Sequence, residues 1–367
     1  MSLHARLWTC RGPFFDPASG SQRATGTRQT RSRELHTPRV NADPPVTRQL
    51  VNSGVFQDHP FCLVDVGASG GIDQCWEVFG KGLCAFGFDG LVKEIERLNA
   101  ASPPAQRYFP LLVGDRTYRP PGGVPDTQPF PRTSAASSVR ISGCDYAATY
   151  FDQTHEGVYA TEMIELDQFF LRDHPADVDF IKVDTDGSDF QVLRGARELL
   201  SASPVLGIAV ESQFHGFVHD DANLFRNIDR LLTTSGFSLF DLEVYRYSRA
   251  ALPKPFVYRI PAQTEGGQVL WGDALYLRDA GKRDYESEWN VTLSASKVLK
   301  LSSIFEIFGL EDCAAELLLK YRDSLIGLLD VEACLDMLTP LVDGKKVSYR
   351  DYQKRFEQNP SFLYPNK

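Results

Sequence analysis

The chain has 367 residues, 43% hydrophobic and 24% charged, with a formal net charge of −9, the composition of a globular protein with one large or two smaller domains. No apolar run approaches the roughly 20 residues needed to cross a bilayer, and the first residues lack a hydrophobic signal core, so neither a membrane span nor secretion is expected. Residues 1–50 hold eight Arg, no Lys and three acids, a net of +5 that leaves −14 for residues 51–367; nucleic acid is excluded as a partner of so acidic a body.

Residues 1–50 are rich in Arg, Thr, Ser and Pro without an apolar period, and are expected to be disordered. Two origins suit an arginine-rich, acid-poor start, an organelle-transit segment or an extended translation start. The seven cysteines (Cys10, Cys62, Cys75, Cys84, Cys144, Cys313, Cys334) form no C-x-x-C pair, which predicts reduced thiols in a cytoplasmic protein.

The first element is an apolar strand, Phe61-Cys62-Leu63-Val64-Asp65-Val66, running into the turn Gly67-Ala68-Ser69-Gly70-Gly71 and then helix-forming residues from Ile72 to Phe79. Such a strand–turn–helix lets backbone N–H groups approach a ligand closely, because glycine has no Cβ in the way. The dinucleotide fingerprint G-x-G-x-x-G is missing; the pattern is Asp65-x-Gly67-x-Ser69-x-Gly71, which suits the compact carboxypropyl and ribose unit of S-adenosylmethionine. A second strand, Gly82 to Phe88, ends at Asp89, about 20 residues beyond the turn, where an acid accepts hydrogen bonds from ribose hydroxyls. The helix Leu91 to Asn99 follows. A third strand, Tyr108 to Val113, ends at Gly114-Asp115, a suitable place to bind an adenine amino group.

A Pro- and Gly-rich insertion, Arg116 to Tyr146, is a candidate lid or acceptor loop. Strand four is Val178 to Asp184 and strand five Val205 to Val210, ending at Glu211, with helices Ser188–Leu200 and Ala222–Thr233 after them. Alternating strands and helices predict a mostly parallel sheet covered on both faces. Phe237–Glu243 and Val269–Leu277 read as a terminal strand pair, the second closing the sheet edge. From 290 to 367 apolar residues recur at helical spacing (Val298, Leu301, Ile304, Phe305, Phe308; then Ala314, Leu317, Leu318, Tyr321), which predicts an appended helical bundle for docking or homodimerisation. The expected division is 1–50, 51–282 and 290–367.

The most specific segment is Asp179-Phe180-Ile181-Lys182-Val183-Asp184-Thr185-Asp186-Gly187-Ser188-Asp189, followed by Val192-Leu193-Arg194-Gly195-Ala196. With Val64–Gly71 it closely resembles the FkbM family of S-adenosylmethionine-dependent methyltransferases, over about residues 60–280. That resemblance implies a class I methyltransferase sheet, Rossmann-like and seven-stranded, and methyl transfer to oxygen on sugars or secondary metabolites (EC 2.1.1.-). Asp89-Gly90 stands where an acid followed by proline is usual, and Asp186 where Glu is common.

Cofactor binding is expected of Asp65, Gly67, Ala68, Ser69, Gly71, Asp89, Gly114, Asp115 and Asp184. Lys182 points opposite to Ile181 and Val183 on a buried strand and needs a partner, which Asp184 supplies on the same face. Two readings of that pair stand: it orders the strand end, or it places Asp184 beside the reacting groups. Asp186-Gly187 reads as a turn opening the next helix, with Ser188 as N-cap. Candidates for the base that takes an acceptor proton are Asp184, then Glu211, then His215, the last also readable as an ordinary loop histidine. Asp184, Asp186 and Glu211 are oxygen ligands of the kind magnesium takes, but their spacing does not demand a metal and none is expected. Two rival functions are an NAD-dependent oxidoreductase, opposed by the missing fingerprint, and a non-catalytic Rossmann-like binding module.

Overall fold

The computed structural model describes residues 40–119, 140–141, 144–145, 160, 162–185, 187–202, 205–214, 219–247 and 266–359. Most of the insertion 116–146 lies outside these residues, as do Asp186 and His215.

The elements that position the site are, in chain order, helix α1 (Pro45–Ser53), strand β1 (Phe61–Val66), β2 (Leu83–Phe88), helix α2 (Val92–Ala101), β3 (Gln106–Phe109), α3 (Leu166–Gln168), β4 (Phe180–Val183), α4 (Asp189–Arg194), α5 (Arg197–Ala202), β5 (Gly207–Gln213), α6 (Phe225–Thr233), β6 (Ser238–Tyr247) and β7 (Gln268–Leu277). Helices α7 (Tyr285–Trp289), α8 (Ala295–Ile307), α9 (Glu311–Lys320), α10 (Val331–Leu338) and α11 (Tyr349–Gln358) follow. The seven strands form one sheet in the order β6-β7-β5-β4-β1-β2-β3. All neighbours run parallel except β7, which is antiparallel to both β5 and β6. This is the class I methyltransferase arrangement implied by the sequence, with one correction. The edge strand is β6, whereas Trp271 to Leu277 pair with β5 and lie inside the sheet.

Alternation along the strands divides the core in two. Cys62, Val64, Val66, Ile181, Val183, Ile208 and Val210 face α3, α4 and α6, whereas Phe61, Leu63, Phe180, Ala209, Leu275 and Leu277 face the opposite layer. That opposite layer contains α1 and α8. Eleven of the thirteen residues of α8 are buried, so this helix is part of the sheet's own core rather than an appended bundle. Helix α1 likewise corrects the expectation of disorder through residue 50, since Val46 and Leu50 are buried against the same core. The sequence under-reads both helices: α8 is buried almost all round, its Lys297, Lys300 and Glu306 included, so no polar face marks it, and α1 is only nine residues long.

Charged side chains lock this layer. Glu306 of α8 accepts from Val46 N (2.9 Å), Thr47 N (2.7 Å) and Thr47 Oγ1 (2.6 Å), satisfying donors that the first turn of α1 leaves open. Asp179, fully buried before β4, takes Lys297 Nζ on Oδ1 and Lys300 Nζ on Oδ2, both at 2.7 Å, and Cys62 N at 2.8 Å. Among the described residues no helix is long and apolar enough to cross a membrane.

Candidate active site

The turn after β1 is pinned from both sides. Gly67 N and Ala68 N donate to Phe88 O at the end of β2 (2.9 and 3.0 Å), and Asp184 N, just past β4, donates to Val66 O (2.9 Å). Gly67 has φ +88°, and a Cβ there would overlap the Asp184 carbonyl oxygen, so only glycine lets the chain pass the end of β4. Gly70 also has a positive φ (+96°), but a Cβ there meets nothing within 4 Å. The turn is therefore closed underneath and open above.

Asp89 holds the turn's next donors, accepting from Ser69 N at 3.1 Å and Leu91 N at 2.7 Å. Burial pushes its carboxyl up, and those two amides oppose the rise. Glu94 accepts from Gly70 N at 3.1 Å, and its bonds to Arg97 hold its own carboxyl below the usual range.

Beside the turn, β1 and β4 face Asp65 and Lys182 directly across the ladder. Lys182 Nζ lies 3.2 Å from Asp65 Oδ1 and 3.6 Å from Asp184 Oδ2, with the lysine and Asp184 side chains about one-eighth exposed. Burial alone would strip the lysine's proton, but Asp65, Asp184 and Asp73 outweigh it and hold the ammonium charged well above its ordinary range. Asp65 Oδ1 contacts Nζ outside hydrogen-bonding alignment and keeps an unmet acceptor position. Burial pushes the Asp65 carboxyl up, with Lys182 opposing. Asp73, at the tail of the glycine turn, is pushed to about 6 by burial against the pull of Lys182.

The negative row continues across the sheet. One position past the Val183–Val210 pair, Asp184 and Glu211 leave adjacent strands; Asp273 of β7 pairs with Glu211, and Glu243 of β6 pairs with Asp273. Tyr245 donates its hydroxyl to Asp273 Oδ2 at 2.9 Å. Burial, then Asp184, pushes Asp273 to about 8; burial, opposed by Tyr245, pushes Glu243 to about 7. Like-charged carboxylates on neighbouring strands cannot all ionise in a desolvated edge, so the outer members keep protons near neutrality.

Asp189, fully buried, organises the turn after β4. Its Oδ1 accepts from Thr185 N (2.8 Å) and Thr185 Oγ1 (3.0 Å), its Oδ2 from Gly187 N (3.2 Å) and Asn223 Nδ2 (2.8 Å). Burial nevertheless pushes its carboxyl to about 6. Ser188 sits before α4 but gives it no side-chain cap bond, and the first-turn Phe190 N–H donates instead to Asn223 Oδ1 at 2.8 Å.

The structure thus brings together Asp65, Gly67, Ala68, Ser69, Asp89, Lys182 and Asp184, with Glu211 one strand further along. Gly71 closes the turn, its N–H bonded to Ala68 O at 3.0 Å. Gly114 and Asp115 follow a separate two-stranded pairing, Leu112–Val113 with Met163–Ile164, instead of continuing β3. There the Asp115 carboxylate lies 3.4 Å from Arg194 of α4, which also pairs with Asp221. Asp73, Asp273, Glu243 and Tyr245 were not anticipated. The alternation of Asp273 with Leu275 and Leu277 was the available signal, since it sets the aspartate on the Lys182 face. Among the described residues no group of three or more His, Cys, Asp or Glu is arranged to hold a metal ion.

Residues 65–239 match the profile of the methyltransferase FkbM domain. No curated protein matches the chain. Among solved structures, the chain is similar to a methyltransferase FkbM from Methylobacillus flagellatus KT (15% identity, 59% of this chain and 43% of that one, TM-score 0.32). It is also similar to a magnesium protoporphyrin IX methyltransferase from Synechocystis PCC 6803 solved with bound S-adenosylmethionine (11%, 64% and 80%, TM-score 0.26). A third is a precorrin-6y C5,15-methyltransferase from Geobacter metallireducens GS-15 (9%, 63% and 87%, TM-score 0.28). The chain spans less than half the length of the Methylobacillus protein. Over residues 65–239, just under half of the chain, the protein is similar to the methyltransferase FkbM domain.

Proposed function

We propose that this protein transfers a methyl group from S-adenosylmethionine to a hydroxyl oxygen of an uncharged acceptor, a glycan or a secondary metabolite. The observation that carries the reading is the glycine turn, locked below by Phe88 and Asp184 and open above Gly70, beside a lysine-clamped pair of carboxylates. The residues present suit this donor. Asp89 has lone pairs left for a ribose diol, Asp65 has an unmet acceptor position for an ammonium group, and the acidic rim favours a ligand that carries positive charge.

When bound, the sulfonium supplies an electrophilic methyl group. The protein's task is to hold an acceptor oxygen in line with it, at about 3–3.5 Å, and to take the hydroxyl proton. Asp184 shares Lys182 with Asp65, so its negative charge is already partnered. Glu243, raised to about 7, is about half ionised near neutral pH and is better matched to accept a proton, alongside Glu211, whereas Asp273 at about 8 mostly holds its own. Burial that holds protons on Asp273 and Glu243 disfavours a further negative charge beside them as well, which is why the acceptor is taken as uncharged.

Isothermal titration with S-adenosylhomocysteine tests the cofactor. Heat of binding in the parent, lost or strongly weakened in Asp65→Ala and Asp89→Ala, is expected; no heat, or variants that bind like the parent, refutes it. Labelled S-adenosylmethionine in a cell extract then identifies the acceptor, and label on an anionic phosphate- or carboxylate-bearing acceptor would overturn the acceptor class.

A further inference from the structure

Helices α9, α10 and α11 enclose a groove of about 510 Å³ that the methyl-transfer chemistry does not use. Leu335 and Leu338 lie on its apolar side, and Tyr352 contributes a further wall. Its acids are Glu311, Asp312 and Glu316, all on α9. Among the described residues none of these three carboxylates has a lysine or arginine partner. An apolar cleft with three uncompensated carboxylates suits a basic segment that carries some apolar surface.

The chain itself contains such a segment, and the fold delivers it to this place. Residues 1–39 carry seven Arg (Arg6, Arg11, Arg23, Arg28, Arg31, Arg33, Arg39), no Lys and two acids, a net of +5 against −14 for the remainder. Where the described chain begins, Asn41 N donates to Ile307 O at 2.8 Å, four residues ahead of Glu311. Glu306 clamps the first turn of α1 immediately afterwards. Arg39 is therefore tethered two residues from a fixed point beside the acidic end of α9. A tether that short raises the effective concentration of the basic stretch at the groove into the range of about millimolar, where weak ion pairs suffice to bind.

We propose that the arginine-rich stretch 28–39 docks in the groove between α9, α10 and α11 of its own chain, its guanidinium groups pairing with Glu311, Asp312 and Glu316. Arginine suits this role better than lysine because its planar fork binds carboxylates bidentately and lies flat on tyrosine rings. The contact is electrostatic and partly exposed, so salt weakens it.

Hydrogen–deuterium exchange of the full chain tests the assignment. At about 20 mM salt the amides of 28–39 should exchange roughly five-fold more slowly than at about 500 mM, where the Debye length has shrunk to about 4 Å. The charge-reversed variant Glu311→Lys/Asp312→Lys/Glu316→Lys should lose that protection. A second variant, Arg28→Glu/Arg31→Glu/Arg33→Glu, lies outside the described fold, and should expose the first turn of α9 to faster exchange. Combining the two sets should restore protection on both sides. Exchange indifferent to salt and to both reversals overturns the proposal. So does protection that rises with protein concentration, which would assign the groove to a second copy of the chain.

Discussion

Two glycines three residues apart should fail in different ways when given a methyl group. At Gly70 the added Cβ has open space, so Gly70→Ala costs only the positive-φ backbone, about 1 kcal/mol. At Gly67 the same φ penalty is joined by overlap with the Asp184 carbonyl, which forces apart the ends of β1 and β4. Overpacking of this kind costs about 1–3 kcal/mol, so Gly67→Ala should lose about 3 kcal/mol in total. Urea unfolding followed by circular dichroism measures both losses, and titration with S-adenosylhomocysteine measures the site. Gly70→Ala should stay nearly as stable as the parent yet bind about ten-fold more weakly, a difference of about 1.4 kcal/mol, because its methyl stands in the opening above the turn. Equal stability losses at the two positions, or undiminished binding by Gly70→Ala, would refute the picture of a turn closed below and open above.

Stability should fall as pH rises from about 4 to about 8, because Asp73 (about 6), Glu243 (about 7) and Asp273 (about 8) hold protons in the folded state that the unfolded chain has released. A raised carboxyl contributes stability that is complete below its unfolded value and lost through its folded value; Asp273→Asn should flatten the upper part of this slope in melts followed across pH. Binding of S-adenosylmethionine, a sulfonium cation, should release protons from these groups at pH 7, and its neutral thioether product should release fewer. Titration calorimetry in buffers of different ionisation enthalpy reads the difference, and equal release from both ligands would contradict an acidic rim facing the sulfonium. At the opposite end of the sheet, Asp179→Ala leaves Lys297 and Lys300 buried without their shared partner and should cost about 3–5 kcal/mol in chemical unfolding, without altering cofactor affinity in the folded protein.

What was legible in the sequence followed from local rules. The β1 turn announces itself through glycines that need positive φ, and the Lys182–Asp184 pair through a lysine on a strand otherwise apolar on both sides. Asp89 was legible because a parallel strand ends there. Residues whose role comes from partners far along the chain were not. Glu306 looks like any surface glutamate of a helix until α1, some 260 positions earlier, is seen to begin on it. Asp115 sits after the expected strand, but the chain leaves β3 at Phe109, and Arg194 of α4 meets the carboxylate.

The position of Asp273 shows why the usual reading of an α/β sheet is incomplete here. In parallel strands the functional residues lie at or beyond the carboxyl ends, and that rule locates Asp89, Asp184 and Glu211. Strand β7 runs the other way between β5 and β6, so its earlier residues, Trp271 and Asp273 among them, reach the rim to which its parallel neighbours bring their last residues. Asp273 is thereby flanked by Glu211 on one side and Glu243 on the other, and desolvation at the rim raises the carboxyls of Asp273 and Glu243 toward neutrality. Reversing a single strand thus converts a rim with scattered acids into a continuous acidic row anchored by Lys182. That row carries two carboxyls that burial raises close to neutrality, Glu243 to about 7 and Asp273 to about 8.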